Sequence, residues 1–233
     1  MLIFSISVWP GFSQSFQIGF GSGRLAYDHK PIKDFNNDVS GLVQFETAFT
    51  DNFPATPYFF GEIGYNFRYF FLGVNYAYNS TGSRLTRSDY SGAYYFDVIL
   101  TGHMFGLSPG FFSSFNDRWK LYYMCDGGIV YSSLSMDESL VVGDFFDQSD
   151  RMDWETSSWF ARPHLRLSYE VYHVKVSLSA GYLIDFKSSF HRKDNKDQIL
   201  KNLRHEDVAT GWNGIMTGLS IYFVIPSRLP RSD

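Results

Sequence analysis

Along most of this chain apolar and polar positions change places at every residue. Trp159, Ala161, Pro163, Leu165, Leu167 and Tyr169 are apolar or ring-bearing, while Ser158, Arg162, His164, Arg166 and Ser168 stand between them. Val174, Val176, Leu178, Ala180, Tyr182, Ile184 and Phe186 oppose His173, Lys175, Ser177, Ser179, Gly181 and Asp185. Ile215, Thr217, Leu219, Ile221, Phe223 and Ile225 form one face of the last run. A period of two predicts β-strands with one greasy face and one small or polar face. Helical periodicity is nearly absent.

The runs predict about eight strands, over 15–27, 57–67, 70–79, 93–112, 119–134, 158–169, 173–187 and 211–225. They are longer than the ~5–6 residues usual in soluble sheets. Aromatic residues gather at both ends of the runs, as interfacial girdles require. Short connections at Asn66–Tyr69, Phe115–Arg118 and Glu170–Tyr172 alternate with large loops over 28–56, 80–92, 136–157 and 188–210. The fold class this predicts is all-β: one antiparallel up-and-down transmembrane barrel with short periplasmic turns and long extracellular loops. Within the first loop, residues 39–50 alternate as well, and a hairpin or strand extension above the membrane is expected there. Residues 1–14 read as the remnant of a signal peptide cut near Ser13 to Ser15, residues 15–226 as the barrel, and 227–233 as a tail.

Composition narrows this further. Aromatics make up 19% of the 233 residues and charged side chains another 19%. The mean hydropathy is −0.19, and no window approaches the ~18 apolar residues of a membrane-spanning helix. A net charge of −4 gives no basic footprint for nucleic acid. The single cysteine, Cys125, allows no internal disulfide and reads as a small apolar side chain.

Gly61-Glu-Ile-Gly-Tyr-Asn-Phe67, Leu72-Gly-Val-Asn-Tyr-Ala-Tyr78, Ser80-Thr-Gly-Ser-Arg84 and Asp89-Tyr-Ser-Gly92 resemble the small eight-stranded outer-membrane barrels of the OmpA/OmpX/PorT-like superfamily, in Bacteroidota style. The resemblance implies fold and compartment rather than an activity. The chain departs from many such barrels at its end, where ten residues follow Phe223.

Three places carry candidate chemistry. The polar strand faces place Glu62, Asp97, Asp126 and Asp185 in the lumen with Lys120, Arg162, Arg166 and Lys175, and with His103 and His164 beside them. An ion-pair network filling a lumen too narrow for water is expected, in preference to a conduit. Hydrolase geometry is not favoured. His164 and Ser168 lie about 13 Å apart along a strand, and His103 and Ser108 fall on opposite faces. The loops offer the third place, with Phe145, Phe146 and Trp154 displayed in an acidic loop and Arg192 and Lys193 in a basic one. In the latter, Ile199, Leu200 and Leu203 are spaced for a short capping helix. No metal site and no cofactor are expected. The function expected is a non-enzymatic accessory subunit of a larger outer-membrane complex, with a surface binding or adhesion protein as the alternative and a lipid A-modifying enzyme as a distant third. Expected partners are membrane lipid, lipopolysaccharide and that larger complex.

Overall fold

The computed structural model describes residues 14–42, 48–89, 92–142 and 146–226. The signal-peptide remnant falls outside them except for Gln14, as does the 227–233 tail. In chain order the elements are β1 (Ser15–Tyr27), α1 (Lys30–Leu42), β2 (Ala48–Asn52), β3 (Thr56–Asn66), β4 (Phe70–Asp89), β5 (Gly92–Ser114), β6 (Trp119–Val142), β7 (Phe146–Val171), β8 (Val174–Asp185), β9 (His191–Arg192) and β10 (Gly214–Pro226).

Eight of these strands close into a ring, each antiparallel to both neighbours, in the order β1–β3–β4–β5–β6–β7–β8–β10 and back to β1. The seam between first and last strands runs in register from Ser15↔Pro226 to Tyr27↔Gly214. Closure leaves no backbone edge within the ring, which is what a strand structure in lipid needs.

Tight turns join the strands at one end. At 115–118 the Asn116 side-chain oxygen accepts from the backbone N–H of Arg118 at 2.9 Å and of Trp119 at 2.8 Å. At the next turn Tyr172 adopts the left-handed conformation, with φ 56°.

Outward positions of the ring are apolar and open. Phe111, Trp159 and Ile215 are each 64–65% exposed, a waste in water and a requirement in lipid. Inward positions are polar or aromatic and buried. Tyr58, Phe71, Tyr122, Tyr222 and Trp212 fill the interior with no more than 2% exposure. Inward glycines make room for them: a Cβ on Gly19 would collide with the Tyr222 ring, and one on Gly64 with Phe71.

Residues 80–92 and 136–157, expected as loops, are strand instead. β4, β5, β6 and β7 run 20 to 26 residues and rise beyond the ring on one side as a four-stranded wall. There the sense of the alternation reverses. In the membrane the outer face is apolar; in the wall Leu85, Phe96, Val98, Leu100, Leu134 and Met136 point inward and are buried, while Arg84, Asp97, Asp137 and Arg151 lie on the outer face. The solvent outside has changed from lipid to water, and the pattern follows it.

The wall packs against a cap. α1 contributes Ile32 with Phe35 and Val39, an i, i+3, i+7 face. The segment between β8 and β10 contributes Phe190, Leu200, Val208 and Trp212. Wall and cap form a head over the barrel mouth, its core continuous with the upper lumen.

Two expectations change here. Residues 39–42 of the alternating segment belong to α1, residues 43–47 lie outside the described residues, and only the end, β2, is the expected strand extension, paired with β4 at Ala48↔Thr86. The basic segment forms no helix; isolated bridges at Ser189↔Ala209, His191↔Ile199 and Lys201↔Asp207 fold it into a layered coil.

Candidate functional site

The lumen comes first, because the alternation puts its polar residues there. Arg166 on β7 reaches across to Glu62 on β3 with two parallel bonds of 2.6 and 2.7 Å, both side chains fully buried. Arg162, two repeats of the alternation higher, donates through Nε to Asp126 Oδ2 at 2.8 Å and again through its terminal nitrogen. His164 sits between these pairs. Its Nδ1 lies 3.2 Å from the Arg162 carbonyl and 3.9 Å from Asp126.

Among the described residues Lys175 has no acid in contact; it donates to Gln17 Oε1 and lies over the rings of Tyr222 and Tyr122, 4.3 and 4.8 Å from their centroids. Lys120 stands at the turn-end opening, half-buried, 2.8 Å from Glu170. Asp185 lies at the other end, accepting from Ser158 Oγ at 2.5 Å and from the Trp212 N–H at 3.3 Å.

Two expected lumen residues lie outside it. Asp97 is on the outer face of the wall, gripped by Arg84 through two bonds of 2.6 Å. It belongs to the stretch where polar side chains face outward, so reading polar as inward misplaces it. His103 shares the parity of Phe105 and Leu107 and also faces out. Its Nδ1 is 2.9 Å from the Tyr76 hydroxyl, and its ring packs by Tyr76 and Tyr78. The network is therefore two buried ion pairs and a third at the mouth, not four acids balanced against four bases. Glu170, Gln17 and the ring pair Tyr122 and Tyr222 complete it; Glu170 and Lys120 lie fifty residues apart beside different turns, so no local sequence signal pairs them.

A lumen filled this way is expected to leave no file for ions. Purified protein in planar bilayers is expected to show no unit conductance, and reproducible steps would overturn this.

In the head, Trp154 is buried on the inner face of β7, since apolar side chains there point into the core. It is not a displayed contact. Phe145 lies outside the described residues, and Phe146 is described only as the first backbone position of β7. Arg192 is half-buried in β9, paired with Asp194 at 2.8 Å, while Lys193 is exposed and its backbone N–H donates to the Asp153 carbonyl at 3.0 Å. The Ser135 hydroxyl, at 2.7 Å, holds the Asp153 carboxyl below its ordinary range, and Arg151 adds to this.

His29 is the joint of the cap. It is fully buried, has φ 41°, and packs among Tyr27, Trp212 and Phe53 with ring centroids 4.6, 4.9 and 5.6 Å away. Its carbonyl accepts from the N–H groups of Ile32 and Lys33 at the start of α1, and its own N–H donates to the Gly211 carbonyl. Burial holds its imidazole pKa down to about 3, with the Lys33 charge pushing the same way.

Aromatic collars bound the apolar band of the ring. At the turn end stand Phe67, Tyr69, Phe115, Trp119 and Tyr172, and at the loop end Tyr76, Tyr78, Tyr131, Trp159 and Tyr182, all exposed. A closed ring, a lipid-facing band and two collars are sufficient. The chain is a small outer-membrane β-barrel.

No family model matches the sequence, and no curated protein matches it. Among solved structures, the barrel is similar to the outer membrane protein OprG from Pseudomonas aeruginosa, at 13% identity and a TM-score of 0.47, over 92% of this chain and 97% of that one. It is similar also to Ail, the attachment invasion locus protein of Yersinia pestis, at 13% identity and a TM-score of 0.38, over 91% and 98%.

Proposed function

We propose that this barrel is a surface-binding protein: a membrane anchor with a filled interior whose work is done by the head. One observation carries the proposal. The wall stands above the ring with its core joined to the cap, and one side of β7 is largely open there. Among the described residues, β8 pairs with β7 only from Phe160 downward, and β9 touches it only at Trp154 and Glu155. The stretch before Asp153 offers its backbone groups to an added strand. Asp150, exposed on this stretch, suits an edge that must not pair with its own copies.

The proposal is non-enzymatic. Ser168 shares its hydroxyl with Ser177 at 2.8 Å, His164 turns to a backbone carbonyl, and Ser108, bonded by Asn75 at 2.6 Å, lies on the opposite face from His103. Cells carrying the barrel are expected to adhere to immobilised extracellular proteins, and cells carrying a form shortened at the β6–β7 tip are expected to lose that adhesion while keeping a folded barrel. Equal adhesion by both forms sinks the proposal.

The accessory-subunit alternative has its own support on the lipid-facing wall. The β5–β6 pairing skips Ser108 and Pro109, and the β7–β8 pairing skips Arg162 and Pro163, since proline brings no N–H to a ladder. Around them lies a shallow groove of about 680 Å³ that includes Cys125 and Gly181, where a neighbouring membrane protein would seat. Extraction in mild detergent separates the two: a stoichiometric companion supports the subunit, and a lone species of the chain's 26.9 kDa supports the surface protein.

A further inference from the structure

Above the loop-end collar, the outer face of the wall changes in steps that follow the register. At the collar Tyr78, His103 and Tyr131 are neighbours across β4, β5 and β6. Two residues further along each strand come Ser80, Thr101 and Ser133, again neighbours. Next comes the row Gly82, Ile99 and Ser135, with Ile99 46% exposed, and above it the charges, which are occupied with one another. Arg84 is bidentate on Asp97, and Arg151 lies 3.2 Å from Asp153 and 3.7 Å from Asp137.

No lysine occurs on this face of the described wall. The segment between β8 and β10, which faces bulk water, carries Lys193, Lys196 and Lys201. A face needing only solvation would resemble that segment; this one offers hydroxyls and ring edges, with the exposed Ile99 just above them.

Its height says what it meets. Successive rows are about 6.6 Å apart along a strand, and strands tilt by about 40°. The hydroxyl row thus stands about 5 Å above the collar and the charged row about 15 Å above it. The face continues the lipid-contacting wall without a break, so the headgroups of the outer leaflet lie against it.

We infer that this face, at Ser80, Thr101 and Ser133 above the Tyr78–His103–Tyr131 collar, docks the neutral sugars of the outer-leaflet glycolipid. The hydroxyls bond sugar hydroxyls, and the rings stack on sugar faces. The glycolipid phosphates are not the ligand, because both arginines of the face are already paired. The inference is independent of the binding proposed for the β7 edge.

The test measures urea unfolding rates in three kinds of vesicle: phospholipid alone, phospholipid with lipid A, and phospholipid with complete-core lipopolysaccharide. Lipid A shares the phosphates and acyl chains but lacks the core sugars. The native protein is expected to unfold about tenfold more slowly with the complete core than with lipid A. The triple variant S80A/T101A/S133A is expected to lose most of that difference while matching the native rate in phospholipid alone. Ser133→Ala alone, at the most exposed of the three sites, should lose part of it. Equal native rates with lipid A and with the complete core would overturn the inference, as would a triple variant that keeps the full difference.

Discussion

Replacing Glu62 by Gln is expected to cost the barrel about 3–5 kcal/mol of stability, read as a shift in its urea unfolding midpoint in vesicles. The substitution keeps the shape and removes the charge. Arg166 is then left fully buried without its carboxylate, and Lys175, also fully buried, remains nearby with only Gln17 and two ring faces as partners. Two desolvated cations would share one compartment. The second substitution decides the cause. In the background of Glu62→Gln, Arg166→Met removes one uncompensated cation, so the double variant should recover part of the loss. A double variant less stable than the single one, or a single variant within about 1 kcal/mol of native, would refute this account of the lumen.

Acid is expected to loosen the head before it touches the barrel. The His29 imidazole is neutral in the folded head down to about pH 3, whereas in an unfolded segment it takes up a proton below about 6.5. Its folded pKa is depressed, so the folded cap is disfavoured as pH falls. The contribution is intact above pH 6.5 and declines by about 1.4 kcal/mol per pH unit below it, levelling off near pH 3. The total approaches about 5 kcal/mol. Trp212, against the same imidazole, reports it: its fluorescence and the protease resistance of residues 188–210 should fall together with acidification. His29→Phe, which keeps a ring among Tyr27, Trp212 and Phe53, should flatten the response. An unchanged acid profile in that variant would mean that another group governs the cap.

The strands in the membrane were legible because lipid outside and a packed lumen inside impose one rule over many residues. Tyr27, Tyr65 and Trp119 mark strand ends to within a residue or two of the structure, and Glu62, Asp126, Arg162, Arg166 and Lys175 lie in the lumen as their parity requires. The head was not legible. Where β4–β7 leave the bilayer, the same alternation carries the opposite meaning, so polar parity puts Asp97 inward when it faces out; Trp154, in a stretch polar enough to read as a loop, is on the inner face of a strand. Nothing in a single strand marks the crossing; the collar formed by Tyr78, His103 and Tyr131 appears only once three strands are aligned. α1 was hidden for another reason. Val39 and Gly41 alternate with polar neighbours, while the helical set of Ile32, Phe35 and Val39 is short and becomes decisive only against the core that receives it.

The seam between β1 and β10 lies directly beneath the joint of the cap. Tyr27 ends β1, His29 bonds to Gly211 just before β10, and Trp212 packs against both. The two ends of the chain must therefore meet before the cap has a floor to rest on. A barrel stalled with its first and last strands apart has no finished cap, and on the proposed role such a molecule would be inert toward a surface partner. On the surface-binding role proposed above, completion of insertion and competence at the cell surface would be one event.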